Sequence, residues 1–208
     1  MDLTENMIVE IPKDVETLQL PDPSLLLYYK NYKDRIVYMD FEIGVDAYEI
    51  AKELIRWNLD DKDIPVEERK PIRLMLFNGG GSADVMMCIY DIIKSSKTPI
   101  YGYNLGLCAS AAFWIFAGCH RRFMMKNANV LIHDGSAEFS NTGSKILDNM
   151  KEYKKTIEVL QNMILENTKI PKATLTKKWK DEWNLSADEC LKYEICDKVV
   201  DSLDELYC

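Results

Sequence analysis

Apolar and polar positions change period several times along this chain, and each change predicts an element. Residues 35–43 (RIVYMDFEI) are β-branched and aromatic, the composition of a strand. Ala47, Ile50, Ala51, Leu54, Ile55 and Leu59 then recur at helical spacing and predict a helix over 46–61. After a charged loop with Pro65, residues 71–78 (PIRLMLFN) read as a second strand. Glycines at 79–81 end it, and Val85, Ile89, Ile92 and Ile93 predict the helix that follows. A third short strand (98–106) runs into a helix within the apolar stretch NLGLCASAAFWIFAGCH (104–120). Two further short strands flank a turn at Lys126–Asn127 within residues 121–135. Ile146, Leu147, Met150, Tyr153, Ile157, Leu160 and Ile164 form one stripe of a long amphipathic helix over residues 143–168, closed by Pro171. Ser186 and Glu189 form a capping box for a helix over SADECLKYE, ahead of a last strand at DKVVD.

Strands alternating with helices predict an α/β fold with a mainly parallel sheet. Residues 1–27, with Pro12, Pro21 and Pro23, read as an irregular lead-in within an N-terminal arm taken as residues 1–32. Residues 33–208 read as one domain, and no internal repeat is evident.

Composition narrows the function classes. The chain has 208 residues and a net charge of -8, with no basic tract, which argues against nucleic-acid binding. None of its six cysteines forms a CxxC pair and four sit among apolar neighbours, the pattern of reduced, buried thiols. The acidic N-terminus has no secretory apolar core, and the apolar run 105–117 is too short to span a bilayer. A cytoplasmic protein without a membrane segment is expected.

Three features carry candidate chemistry. Ser110 is the one hydroxyl in the apolar run, either a small residue tolerated in a buried helix or a nucleophile at its N-terminus. The Gly79–Gly81 loop after a strand matches neither GxxxxGK[ST] nor GxGxxG, so it reads as a tight turn or as a set of backbone donors for an oxyanion. His133 ends the strand ANVLIH, in position for proton transfer or simply at the surface. His120, beside Arg121 and Arg122, reads as a surface residue. Two histidines without neighbouring ligands argue against a metal site, and no cofactor is expected.

The order of glycine loop, serine and histidine resembles the proteolytic subunit family of the Clp protease (ClpP), on the fold it shares with crotonases. YKDRIVYMDFEI is similar to that family's opening strand, and IRLMLFNGGGSADVMMCIYDII to its glycine loop and following helix. GLCASAAFWIFAGCHRRFMMKNANVLIHDGS resembles its serine-to-histidine segment, and NLSADECLKYEICDKVV its close. The resemblance covers roughly residues 33–200.

It implies repeated β-β-α units and a projecting handle helix near 143–168. It implies Ser110 as nucleophile, His133 as general base, and the backbone N–H groups of Gly80, Gly81 and Ala111 as the oxyanion hole. It further implies peptide or unfolded-protein substrates, a homo-oligomer of two stacked heptameric rings, and a separate AAA+ unfoldase as partner.

The third member of the triad departs from the pattern. Counting back from LSADE puts Lys178 where the family has aspartate, with Asp181 three residues later and Glu182 four. Asp181 is taken as the acid. The departures suggest a divergent member, such as a phage-type or accessory form. The expected function is a serine endopeptidase; a catalytically impaired ring subunit and an acyl-CoA enzyme on the same fold are the alternatives.

Overall fold

The computed structural model of the chain describes residues 24–207. The part of the arm before residue 24 lies outside them. From Ser24 the chain is helical rather than irregular: α1 spans Ser24–Asp34. A proline marks where a helix can begin as well as where one must stop, and no helix breaker follows Pro23 until the element ends. The chain divides into two compact units at Ile36/Val37, and α1 belongs to the first.

The elements that follow are β1 (Ile36–Met39), α2 (Tyr48–Asp60), β2 (Ile72–Asn78), α3 (Ala83–Ser95) and β3 (Ile100–Ala109). Then come α4 (Ala111–Gly118), β4 (Arg121–Met125), β5 (Asn129–Ile132) and α5 (Gly143–Asn167). The chain closes with α6 (Lys172–Lys178), β6 (Trp183–Ser186), α7 (Ala187–Lys192) and β7 (Lys198–Val200). The sheet runs β1-β2-β3-β4-β7, with β5 paired to β3 and β6 paired to β5. Pairs β2/β3, β3/β4, β3/β5 and β4/β7 are parallel, and β5/β6 is antiparallel. This is the α/β, mainly parallel architecture that the alternation of elements predicted.

Two packing details refine the sequence reading. Ala47, just ahead of α2, and Ile50, Ala51 and Leu54 on it are buried as expected, whereas Ile55 and Leu59 are exposed. The buried row continues instead through Trp57 to Asp61, whose carboxylate accepts from the Thr98 hydroxyl at 2.8 Å. A row stepping three or four residues stays on one face of the helix, and Ile55 and Leu59 fall to its side.

The stripe on α5 is divided. Leu160, Met163 and Ile164 are buried, and the Trp114 indole N–H donates to the Leu160 carbonyl at 3.0 Å, tying this end to α4. Towards the other end, Leu147 is 62% and Met150 46% exposed.

Every residue of α4 is buried, so its sequence shows no amphipathic period. Cys108, Cys119, Cys190 and Cys196 are free and buried. Burial pushes the Cys119 thiol up to about 12 and Cys196 to about 11, which leaves them inert core groups. Among the described residues no helix is long and apolar enough to cross a membrane, and no cluster of three or more ligating side chains could hold a metal ion.

Candidate active site

Ser110 sits between β3 and α4 at positive φ, with φ 52° and ψ -130°. The helix expected within 104–120 is present, but the strand read as ending at 106 continues to Ala109 and the helix begins only at Ala111. A buried apolar run is ambiguous between strand and helix, and pairing to both β2 and β5 decides it.

The turn is over-determined by its neighbours. The Ser110 N–H donates to the Leu131 carbonyl of β5, and the Ser110 carbonyl accepts from the Phe113 N–H, both at 2.9 Å. A non-glycine residue held there costs about 1–3 kcal/mol, strain that persists only where the surroundings enforce it. The consequence is a hydroxyl presented at the mouth of the N-terminus of α4, where free N–H groups and the helix dipole favour negative charge.

The glycine loop is packed against that turn. Gly80 has φ +105°, and a Cβ there would lie 2.7 Å from the Ser110 Cβ and 2.9 Å from the Ala109 carbonyl oxygen. On the other side, a Cβ on Gly81 (φ +145°) would overlap the backbone of Ile43. Only a backbone without side chains fits between Ser110 and residue 43. The Ile43 N–H donates to the Gly80 carbonyl at 2.9 Å, and the Ser82 N–H donates to the Ile43 carbonyl at 2.7 Å. In this parallel bridge the central residue, Gly81, turns its own N–H away from Ile43.

The Gly80 N–H is engaged elsewhere, donating to Asn78 Oδ1 at 2.8 Å. The donors left for an oxyanion are therefore Gly81 and Ala111, the first residue of α4, whose N–H has no acceptor within the helix. The expectation that Gly80 contributes its own N–H is corrected to a role in close packing.

His133 follows directly on β5 and lines the same cleft as Ser110. The cleft has a volume of about 260 Å³, with Met86, Trp114 and Leu160 supplying apolar wall and Ser82, Ser136 and Thr156 hydroxyls. Tyr153 of α5 also faces it, and its hydroxyl donates to the Asp134 carbonyl at 3.1 Å. Burial, then the Asp134 charge, pushes the Tyr153 hydroxyl pKa up, so Tyr153 is a donor throughout the neutral range.

The expected third member is not brought to the histidine. Asp181 lies in the turn after α6, more than half exposed, with its carboxylate 3.4 Å from the Lys178 ammonium. Neither residue lines the cleft, and neither does Glu182. The antiparallel ladder pairs Val130 with Leu185, Leu131 with Asn184 and Ile132 with Trp183. One residue beyond the last pair stand His133 on one strand and Glu182 on the other. Strand side chains alternate between faces, so Glu182 and Asp181 do not point the same way if the strand continues. Among the described residues, no hydrogen bond joins the His133 ring to Ser110 or to a carboxylate; catalytic contacts of this kind are often long before substrate binds. The sequence reading missed β6, whose four residues are shorter than a reliable period; the Trp183/Leu185 alternation was its one signal.

A model of the Clp protease family matches residues 24–203. The chain is 27% identical over 196 residues to the ATP-dependent Clp protease proteolytic subunit 2 of Treponema denticola, covering 93% of this chain and 94% of that one. It is 26% identical over 198 residues to the ATP-dependent Clp protease proteolytic subunit of Deinococcus radiodurans, covering 94% of each. Among solved structures, a mutant of ClpP1 from Listeria monocytogenes superposes with a TM-score of 0.74 at 23% identity, over 86% of this chain and 99% of that one.

Proposed function

The chain belongs to the Clp protease family, and from that premise we propose that it is a serine endopeptidase acting through Ser110 and His133. The observation that carries this reading is the Ser110 turn, a strained non-glycine residue at a helix N-terminus with Gly80 in van der Waals contact. A plain buried serine needs neither.

In this reading the Ser110 Oγ attacks the carbonyl carbon of the scissile amide while His133 takes the hydroxyl proton. The carbonyl oxygen becomes the oxyanion, received by the N–H groups of Gly81 and Ala111. Collapse breaks the C–N bond, the amine leaves with the proton returned by the imidazolium, and an acyl-Ser110 ester remains. Water, deprotonated by His133, then hydrolyses the ester and restores the hydroxyl. Glu182, which like His133 stands one residue beyond the last pair of the β5/β6 ladder, is the carboxylate assigned to orient the ring in place of Asp181.

The apolar wall formed by Met86, Trp114 and Leu160 suits an uncharged side chain of an extended peptide or unfolded protein. The assembly is read as a homo-oligomer of stacked heptameric rings in the cytoplasm, with the exposed Leu147–Met150 end of α5 as the handle that meets a second copy. Since the curated relatives are called ATP-dependent and this chain has no nucleotide motif, ATP hydrolysis would belong to a separate AAA+ unfoldase.

A fluorophosphonate probe tests the nucleophile, with light scattering on the same fraction to measure its mass. Labelling of wild type and none of Ser110→Ala, in a particle many times the subunit mass, is the expected result. An unlabelled wild type in assembled form would sink the reading. A second reading, a catalytically impaired ring subunit, draws on the ion pair that occupies Asp181 with Lys178. Steady peptide turnover by the pure homo-oligomer would eliminate it.

A further inference from the structure

We propose that Asn78 is the positioning residue of the oxyanion loop, fixing the Gly79–Gly80 peptide and the strand segment against which the Gly81 donor is held, an inference that rests on the reading of Ser110 as nucleophile. Asn78 is the last residue of β2 and only 2% exposed. Both ends of its carboxamide are used. Oδ1 accepts from the Gly80 N–H at 2.8 Å, and Nδ2 donates to the carbonyls of Phe41 at 2.6 Å and Met39 at 3.3 Å.

The β2/β3 register shifts between Leu76 and Asn78, and the ladder ends at the Asn78–Cys108 pair, so the loop beyond it has no strand partner on that side. The side chain supplies the fixation there. It ties the loop to residues 39–41, while the backbone bonds around Ile43 tie its far side to the same segment. Between these two ties lie Gly80 and Gly81, conformationally the freest residues available. The Ile43 N–H bond to the Gly80 carbonyl turns the Gly81 N–H away from the strand, and the Asn78 amide fixes the preceding Gly79–Gly80 peptide and the 39–41 segment that leads to Ile43. An aspartate cannot replace it, because a carboxylate accepts from Gly80 but repels the two carbonyls that Nδ2 now serves.

Asn104 provides an internal control. Its Oδ1 accepts from the Gly106 N–H at 3.1 Å and its Nδ2 donates to the Asn129 carbonyl at 2.9 Å, the same arrangement away from the cleft.

The test compares wild type, Asn78→Asp, Asn78→Ala and Asn104→Asp as full chains. Backbone hydrogen exchange should speed at least about tenfold in segments 39–43 and 79–83 of both Asn78 variants, with the rest of the sheet unchanged. On a fluorogenic peptide, kcat should fall on the order of 10²-fold in Asn78→Asp with KM within about threefold, the loss typical of one displaced oxyanion donor. Asn104→Asp should keep kcat within about threefold of wild type. Unchanged exchange over 79–83 overturns the proposal, as does a loss that appears in KM with kcat intact. An unlabelled wild type would defeat the nucleophile reading alone, and the exchange data would still decide whether Asn78 holds the loop.

Discussion

Ser110 is held on three sides, by Leu131 through its N–H, by Phe113 through its carbonyl and by Gly80 through direct contact. His133, across the same cleft, follows a four-residue strand and shares its segment's anchorage with one phenol, Tyr153, bonded to the next carbonyl. The nucleophile side is built from the interior of the sheet, where pairing with two neighbours leaves one conformation available. The base side is built from the last pair of a β5/β6 ladder, where position depends on how far the pairing continues. In the proposed mechanism, preorganisation is therefore greatest where the oxyanion would form and least where the proton would be handled.

That contrast makes the largest expected effect fall on the weaker side. Glu182→Gln should lower kcat by up to about 10⁴-fold, the cost of losing the group that orients a catalytic histidine. Asp181→Asn should change it less than about threefold, because its partner is the exposed Lys178. Peptidase kinetics on the two variants side by side would settle the acid; the reverse ranking would restore Asp181.

A smaller loss is expected on the rigid side. Gly80→Ala forces a methyl group into the Ser110 Cβ and adds strain at φ +105°. The loop must shift, and kcat should fall about 10²- to 10³-fold as the Gly81 N–H moves off the oxyanion. Unaltered turnover with a folded variant would mean the loop does not form the hole.

The smallest effect concerns Tyr153. Tyr153→Phe removes one hydrogen bond to the Asp134 carbonyl, normally about 0.5–1.5 kcal/mol, and should reduce the phosphonate labelling rate by no more than about tenfold. A loss beyond a hundredfold would show that α5 governs the histidine far more tightly than one bond allows.

Much of the fold was legible in the order of residues. Local period and end signals located α2, α3, β2, β4, β5, α5 and the capping box at Ser186–Glu189, which the structure contains with both reciprocal bonds. These features depend on interactions within a few residues of one another, so a linear reading reaches them. That Ser110 and His133 line one cleft agrees with the order the resemblance gave; residue types alone left a chemical and an ordinary reading open for each.

Tertiary structure decided what depends on partners distant in the chain. Pairing of β3 with β2 and β5 carries the strand to Ala109 and forces the Ser110 turn, whereas the apolar run NLGLCASAAFWIFAGCH has no period to distinguish strand from helix. Sheet register across β5 and β6 pairs Ile132 with Trp183 and leaves His133 and Glu182 one residue beyond the ladder's end, and counting along a single strand cannot supply a register. Burial of Leu160 but not Leu147 on one continuous stripe follows from where α4 ends beneath α5. The sequence by itself determined which residues are suited to each local conformation, because propensity and amphipathic period are short-range. Only the folded chain decided which N–H is spent on Asn78 and which is left for an oxyanion, because a hydrogen bond is assigned by geometry between segments that the sequence keeps apart.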